Sequence, residues 1–342
     1  MALGLLARLR GAVELLPTAG GGPSKPDDQD ERDAARPSLV MNRDTRAFGS
    51  QLIRDRRYAI LLDREASKII DDRLLGETWK ALEEDMALVP GGQFTVGPVE
   101  TGKQTTEFGA PRVNVQPFYL DRFAVTNRDY AAFVAAGGYD QMDLWPQEIW
   151  PSVLQFVDQT GLPGPRYWAN GKTLRGLDYH PVVGVCWHEA AAYARWVGKR
   201  LPMAAEWEKA GSWPPDLAGH ESKLRYPWGN AFDGRRANTW QSGRGTTASV
   251  DDFPEGCTPN GVFQLIGNVW EWVADPYLGP HLKTGLRIHF DHVMQQIRGG
   301  AFDTYFETEA TCHFQSGQPS LDRGLNIGFR CAVSLDRLRP RA

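Results

Sequence analysis

The chain has 342 residues, with 42% hydrophobic and 23% charged side chains, enough for one large domain or two smaller ones with a substantial core. Its 38 basic and 42 acidic residues leave a net charge of −4, and no Lys/Arg cluster stands out, so the electrostatic footprint of a nucleic-acid binder is missing. No run reaches the ~20 apolar residues of a membrane span.

Residues 1–17, "MALGLLARLRGAVELLP", place Leu5, Leu6, Leu9, Val13 and Leu16 on one helical face, with Arg8, Arg10 and Glu14 elsewhere. The arginines interrupt what would be a signal-peptide core. Two readings stand: an amphipathic helix that docks on a partner or a membrane surface, or a frayed terminus. Residues 18–46, rich in Gly, Pro and acid, predict a flexible linker. From 47 to 85, Tyr58, Leu61, Leu62, Ala66, Ile69 and Ile70 recur at intervals of three and four, which predicts a helical extension packed on the main domain. The main domain then runs over 86–342.

"MALVPGGQFTVG" (86–97) turns to short strands, and "PRVNVQPFYLDRFAVTN" alternates like two more. Thr126 or Asn127 can cap a helix that buries Tyr130, Phe133 and Val134. Residues 138–172 predict a long structured loop. A second helix follows "HPVVGVC" with Tyr193, Trp196 and Val197 on one face, and a third starts after Pro202. Beyond Gly211 the chain reads as turns and short strands. The 36 Gly, 23 Pro and 12 Trp fit a loop-rich fold in which indoles fill irregular gaps. Cys186, Cys257, Cys312 and Cys331 lack CxxC spacing; buried free thiols in a reducing cytoplasm are expected, although an even count permits disulfides.

Seven blocks occur in order: "VPGGQFTVG", "FYLDRFAVTNRDYAAFV", "HPVVGVCWHEAAAYARWVGKRLPMAAEWEKA", "YPWGN", "LIGNVWEWVADPY", "RGG" and "NIGFRCA". Together, over 86–335, they resemble the formylglycine-generating enzyme (sulfatase-modifying factor) family. The resemblance implies an α+β, modified C-type-lectin-like fold with little regular secondary structure, here preceded by the helical extension. In the enzymes of that family two cysteines after the RGG motif bind copper(I), which soft thiolates select. Counting from Arg298, those positions hold Thr304 and Glu309, so no copper and no formylglycine-generating activity are expected. Further departures are Ala301 for a serine, Met203 for a helix-capping Thr, Phe314 for an arginine, and Ala194 for the cysteine that would pair with Cys331.

"QLIGNVWEW" matches a calcium site of the family. Carried over by position, its ligands are the Gln264 side chain, the carbonyls of Gly267 and Val269, and the Glu271 carboxylate, hard oxygens suited to calcium. The alternative is that Glu271 is buried and satisfied by backbone amides or an arginine. A second calcium loop is shortened to "SGRGTTASVDDF", where Asp251 or Asp252 could compensate. His281, His289, Asp291 and His292 offer a two-His, one-carboxylate set, but 289 and 292 point to opposite faces of a strand. Cys186 and His188 form a conceivable dyad; a helix-start His beside a core thiol is the plainer reading.

Two functions follow. The preferred one is a non-catalytic ligand- or protein-binding module, a subunit or accessory protein of a bacterial signalling, defence or diversified ligand-binding assembly. Its surface would be Phe302, Thr304, Tyr305, Phe306, Glu309, His313, Phe314, Gln315 and Gln318, with a protein partner held there or through 1–85. The alternative is an enzyme with non-cysteine chemistry, of oxidoreductase or siderophore-maturation type, drawing on Asp303, Glu307, Glu309 or His313. Convergence of those groups on one cavity would favour chemistry, and splayed groups would favour binding.

Overall fold

The computed structural model describes residues 43–97, 112–212, 223–279 and 290–339. The proposed helix at 1–17 and nearly all of the linker lie outside them. The extension folds as α1 (Arg43–Arg54), α2 (Tyr58–Leu62) and α3 (Asp72–Asp85). Arg56, in the left-handed region at φ 56°, turns the chain between α1 and α2. Asp71 caps α3 by accepting from the Leu74 N–H at 2.8 Å. The apolar faces close over Tyr119, Val333 and Leu338, with Tyr58, Leu61, Leu62, Leu74 and Leu82 buried among them.

Charges join the extension to the rest of the chain. Arg56 bridges Asp85 and Asp129 at 2.8 and 2.9 Å, and Arg57 lies 4.4 Å over the Trp196 ring. Lys199, buried, donates to the Tyr58 hydroxyl at 2.8 Å and to Asp121 at 2.6 Å. Burial works against that charged ammonium, but Asp121, Tyr58 and Cys331 together hold its proton affinity above the usual lysine range.

The strands are short: β1 (Met86–Val89), β2 (Gly92–Thr95), β3 (Arg112–Val115), β4 (Phe118–Asp121), β5 (Trp270–Pro276), β6 (Met294–Arg298), β7 (Gln315–Pro319), β8 (Ile327–Phe329) and β9 (Ala332–Ser334). They form an antiparallel sheet in the order β1-β4-β9, a β2-β3 hairpin, and a mixed sheet β7-β6-β5-β8 whose β5–β8 pair is parallel. Thr126 caps α4 (Asn127–Ala135) in a capping box with Asp129. The 138–172 segment contains 3₁₀ turns and the one-turn helix α5 (Trp150–Val153), anchored by buried Trp145, Phe156 and Trp168.

Helix α6 (Trp187–Trp196) buries Tyr193 and Trp196, and Tyr130 stacks on Tyr193 at 5.4 Å. For α7 (Ala204–Ser212), the missing Thr cap is replaced from two directions. The Met203 N–H donates to Glu206 at 2.8 Å, and the Ala204 N–H donates to Asp275 at 2.6 Å. Among the described residues no helix is long and apolar enough to cross a membrane.

Candidate functional site

Strand β6 ends at Arg298, and Gly299 and Gly300 follow with φ of 97° and 78°. A Cβ on Gly299 would meet the Leu265 carbonyl oxygen at 2.4 Å, so only glycine fits this turn. The chain then tightens on itself. The Ala301 N–H donates to Thr304 Oγ1 at 2.8 Å, and the Thr304 N–H donates back to the Ala301 carbonyl at 3.0 Å. Thr304 is buried and its carbonyl accepts from the Trp240 N–H at 3.1 Å. Where the resemblance implies a first copper ligand, therefore, a hydroxyl pins a turn.

Glu309 is half-buried, and Cys312 is buried, with its N–H donating to the Arg225 carbonyl at 3.0 Å. Burial pushes the Cys312 thiol far above its ordinary range, which is the reverse of what a thiolate ligand needs. One hydroxyl, one carboxylate and one protonated thiol do not fit copper(I).

The expected contact surface divides into two parts. Tyr305 and Phe306 stand out at 64% and 60% exposure, and Trp240, on a neighbouring 3₁₀ turn, is 58% exposed. Their rings meet: Trp240 and Tyr305 lie 6.2 Å apart, and Tyr305 and Phe306 pack edge-on at 5.2 Å. Gln241 donates to Glu307 at 3.3 Å along this ledge, and Asn326 donates to Asp303 at 2.9 Å.

Phe302, placed on the same surface by the sequence reading, is instead buried, its N–H donating to the Asn268 carbonyl at 3.1 Å. His313, Phe314, Gln315 and Gln318 belong to a second region. Phe314 packs on Trp270 at 6.1 Å, Gln315 accepts from Gln296 at 2.5 Å, and Gln318 sits opposite Gln295 in the β6–β7 ladder.

Behind the second region lies a charge cluster that the linear reading missed. Glu208, fully buried on α7, accepts from Arg298, from Lys223 and from the Gly97 N–H at 2.9 Å. The Arg298 guanidinium covers the Trp207 ring at 5.6 Å. Burial, together with Lys223, Arg225 and Arg298, holds the His313 imidazole below its ordinary range although Glu208 pulls the other way.

Three of the four groups expected to hold calcium are engaged within the protein. Both Glu271 oxygens are occupied: Arg330 Nε reaches them at 3.0 and 2.8 Å, Arg330 Nη2 reaches Oε1 at 2.7 Å, and the Trp207 indole N–H donates to Oε2 at 2.7 Å. Gln264 Oε1 accepts from Asn268 at 2.5 Å, and the Gly267 carbonyl accepts from the Val269 N–H at 2.9 Å. A carboxylate saturated by a guanidinium and an indole does not fit a calcium cradle, so the reading in which an arginine satisfies Glu271 describes the geometry. Asp252 pairs with Arg244 at 2.8 Å, and Asp251 accepts from Ser249.

Asp291 and His292 are exposed, while His281 and His289 lie outside the described residues; no group of three or more His, Cys, Asp or Glu able to hold a metal occurs among the described ones. Cys186 is buried at the start of α6, with its N–H donating to Glu189 at 2.8 Å, and His188 packs edge-on against Trp187 at 5.1 Å. His188 Nδ1 has no partner among the described residues, so it is not engaged with the Cys186 thiol. Cys331 is a buried free thiol beside β9.

Short mixed sheets, capped helices and long ordered loops, with a double-glycine turn at the end of β6, define a modified C-type-lectin-like protein of the formylglycine-generating type. The family described as the sulfatase-modifying factor enzyme 1-like domain matches residues 72–335, and the chain belongs to it. The match begins at the start of α3, earlier than the sequence blocks at 86. Over 295 residues the chain is 33% identical to the formylglycine-generating enzyme of Streptomyces coelicolor, covering 72% of this chain and 88% of that enzyme. It is 30% identical over 284 residues to the inactive C-alpha-formylglycine-generating enzyme 2 of Bos taurus, covering 74% and 89%. The solved structure of PvdO from Pseudomonas aeruginosa superposes with a TM-score of 0.50 at 26% identity, over 73% of this chain and 94% of that one. Both catalytic and inactive relatives thus share this fold.

Proposed function

We propose that the chain is a non-catalytic binding module, a subunit or accessory protein of a bacterial assembly, that holds a protein partner on the ledge of Trp240, Tyr305 and Phe306. The observation that carries this reading is three large aromatic rings joined in series through Tyr305, yet each more than half exposed. Clustered exposed aromatics are characteristic of interface hot spots, where they lose little entropy and bury much area. Two of the carboxylates that a catalyst would need are engaged by amides: Asp303 accepts from Asn326 and Glu307 from Gln241.

The test is purification of the full chain with metal analysis and identification of stoichiometric co-purifying proteins, alongside Trp240→Ser/Tyr305→Ser. The reading expects a defined partner, retained by the parent and lost from the double variant at unchanged melting temperature. A stoichiometric redox metal, or a partner held equally by both proteins, overturns it.

A further inference from the structure

A cavity of about 490 Å³ opens between the 155–167 loop and the turn at 321–323. Its size is that of a small-molecule site. Two of its lining groups are committed to the protein. Arg323 is paired with buried Glu189 at 2.8 Å and donates to the Val157 carbonyl at 2.9 Å and to the Gly164 carbonyl at 2.5 Å. Asp158 accepts from the N–H groups of Thr160, Leu162 and Gly171 and from the Thr160 hydroxyl, at 2.7–3.1 Å. Those donors hold its carboxyl below the usual range despite burial. These two residues build the wall.

The remaining polar groups lie at the open side of the cavity, where the Arg166 guanidinium sits over the Tyr167 ring at 5.9 Å. Arg166 and Asp322 both line the cavity, yet among the described residues they form an ion pair neither with each other nor with a third group. Their backbones are fixed, because the Arg166 N–H donates to the Gly184 carbonyl at 2.9 Å and the Asp322 N–H to the Pro319 carbonyl at 2.8 Å. Gln155 and Gln159 add two amides, and Tyr167 and Leu321 add a flat and an apolar face. Gly184 makes room for that ring: at φ 73°, a Cβ there would lie 2.6 Å from Tyr167 Cδ2.

From one guanidinium and one carboxylate that line the same cavity without pairing, we infer that it binds a small zwitterion of the amino-acid or short-peptide class. The planar fork of Arg166 takes the ligand carboxylate, Asp322 takes its ammonium, and the two amides complete the polar contacts. A neutral polyol would leave both ionic groups unmatched, and a singly charged ligand would leave one of them facing its own sign. Nothing in this argument uses the aromatic ledge, so either proposal can fail alone.

The test is titration calorimetry and thermal melting of the full chain with free α-amino acids and glycyl dipeptides at millimolar concentration. Each probe is compared with its N-acetylated and C-amidated forms, which remove one charge at a time. A zwitterion that binds, and that weakens about tenfold or more with either blocked form and with Arg166→Gln or Asp322→Asn, supports the assignment. Unchanged melting of the two unliganded variants shows that they fold. Equal binding of blocked and unblocked probes, preference for a monosaccharide, binding unaffected by both substitutions, or no response to any probe overturns it.

Discussion

Glu271→Gln separates the two roles open to that carboxylate. Glu271 and Arg330 are 1% and 0% exposed, and three contacts of 2.7–3.0 Å join them. Removing the negative charge leaves a buried guanidinium without its counter-ion, a loss of about 3–5 kcal/mol. For the matched domain, an unfolding entropy of roughly 0.55 kcal/mol per kelvin converts this to a fall in melting temperature of about 5–9 °C. Adding Arg330→Met does not restore the stability. The carbonyls of Asp121, Arg122 and Phe263 would then lose donors now at 3.0, 3.1 and 2.8 Å, each worth about 1–3 kcal/mol when left unmet. The assay is thermal and urea unfolding of wild type and both variants, with and without a calcium chelator. The reasoning fails if the chelator lowers the wild-type melting temperature as much as Glu271→Gln does, while the variant ignores it. That pattern would make Glu271 a calcium ligand.

Three further outcomes are expected. Tyr58→Phe removes a hydroxyl partner of the buried Lys199 ammonium and costs about 1–3 kcal/mol in urea unfolding; a change under about 0.5 kcal/mol would mean that the extension does not depend on that contact. Cys186, Cys312 and Cys331 are buried and Cys257 is partly exposed, so a thiol reagent modifies one cysteine in the native protein and all four after denaturation; rapid modification of two or more native thiols contradicts the packing. Burial, with Arg195, holds His188 down to about 4 from an unfolded 6.5, so the unfolded chain binds the extra proton between those values. Stability from this group is therefore full above pH 6.5 and is lost as pH falls toward 4. The difference in unfolding free energy between wild type and His188→Gln should vary with pH only in that window, and a flat difference refutes the assignment.

Much of the scaffold was legible because it rests on local patterns. Thr126 before an apolar face announces α4, and the three-and-four spacing around Tyr58, Leu61 and Leu62 announces the buried face of the extension. That Thr304 and Glu309 stand six and eleven residues after Arg298 was legible for the same reason, since a count suffices. What escaped lies across long separations. Arg330 meets Glu271 across 59 residues, and Asp275 caps α7 from 71 residues away. No periodicity encodes such pairings. The segment after the double glycine is a run of turns, so alternation could not tell buried Phe302 from exposed Phe306. Trp240 joins the ledge through the Thr304 carbonyl and the Tyr305 ring, contacts that the sequence around "NTWQS" does not disclose.

The same geometry shows that the turn after the double glycine is fixed without a thiol. The elements that fix the turn are Gly299, the Ala301–Thr304 hydrogen bonds and the Glu208–Arg298 ion pair. None of them needs a thiol. Thr304 has taken a bonding role that a cysteine fills weakly, because a sulfur accepts hydrogen bonds less well than a hydroxyl. Cys312 is committed to the core behind Gly211, where a Cβ would come within 2.9 Å of its sulfur. Restoring a copper site would therefore require more than Thr304→Cys and Glu309→Cys: the first substitution loosens the turn that has to aim the ligand. The surface beyond that turn is under no such constraint, and Tyr305 and Phe306 are the residues that extend from it. The scaffold and its exposed rim are thus held by different contacts, and the rim could change its chemistry while the scaffold kept its own.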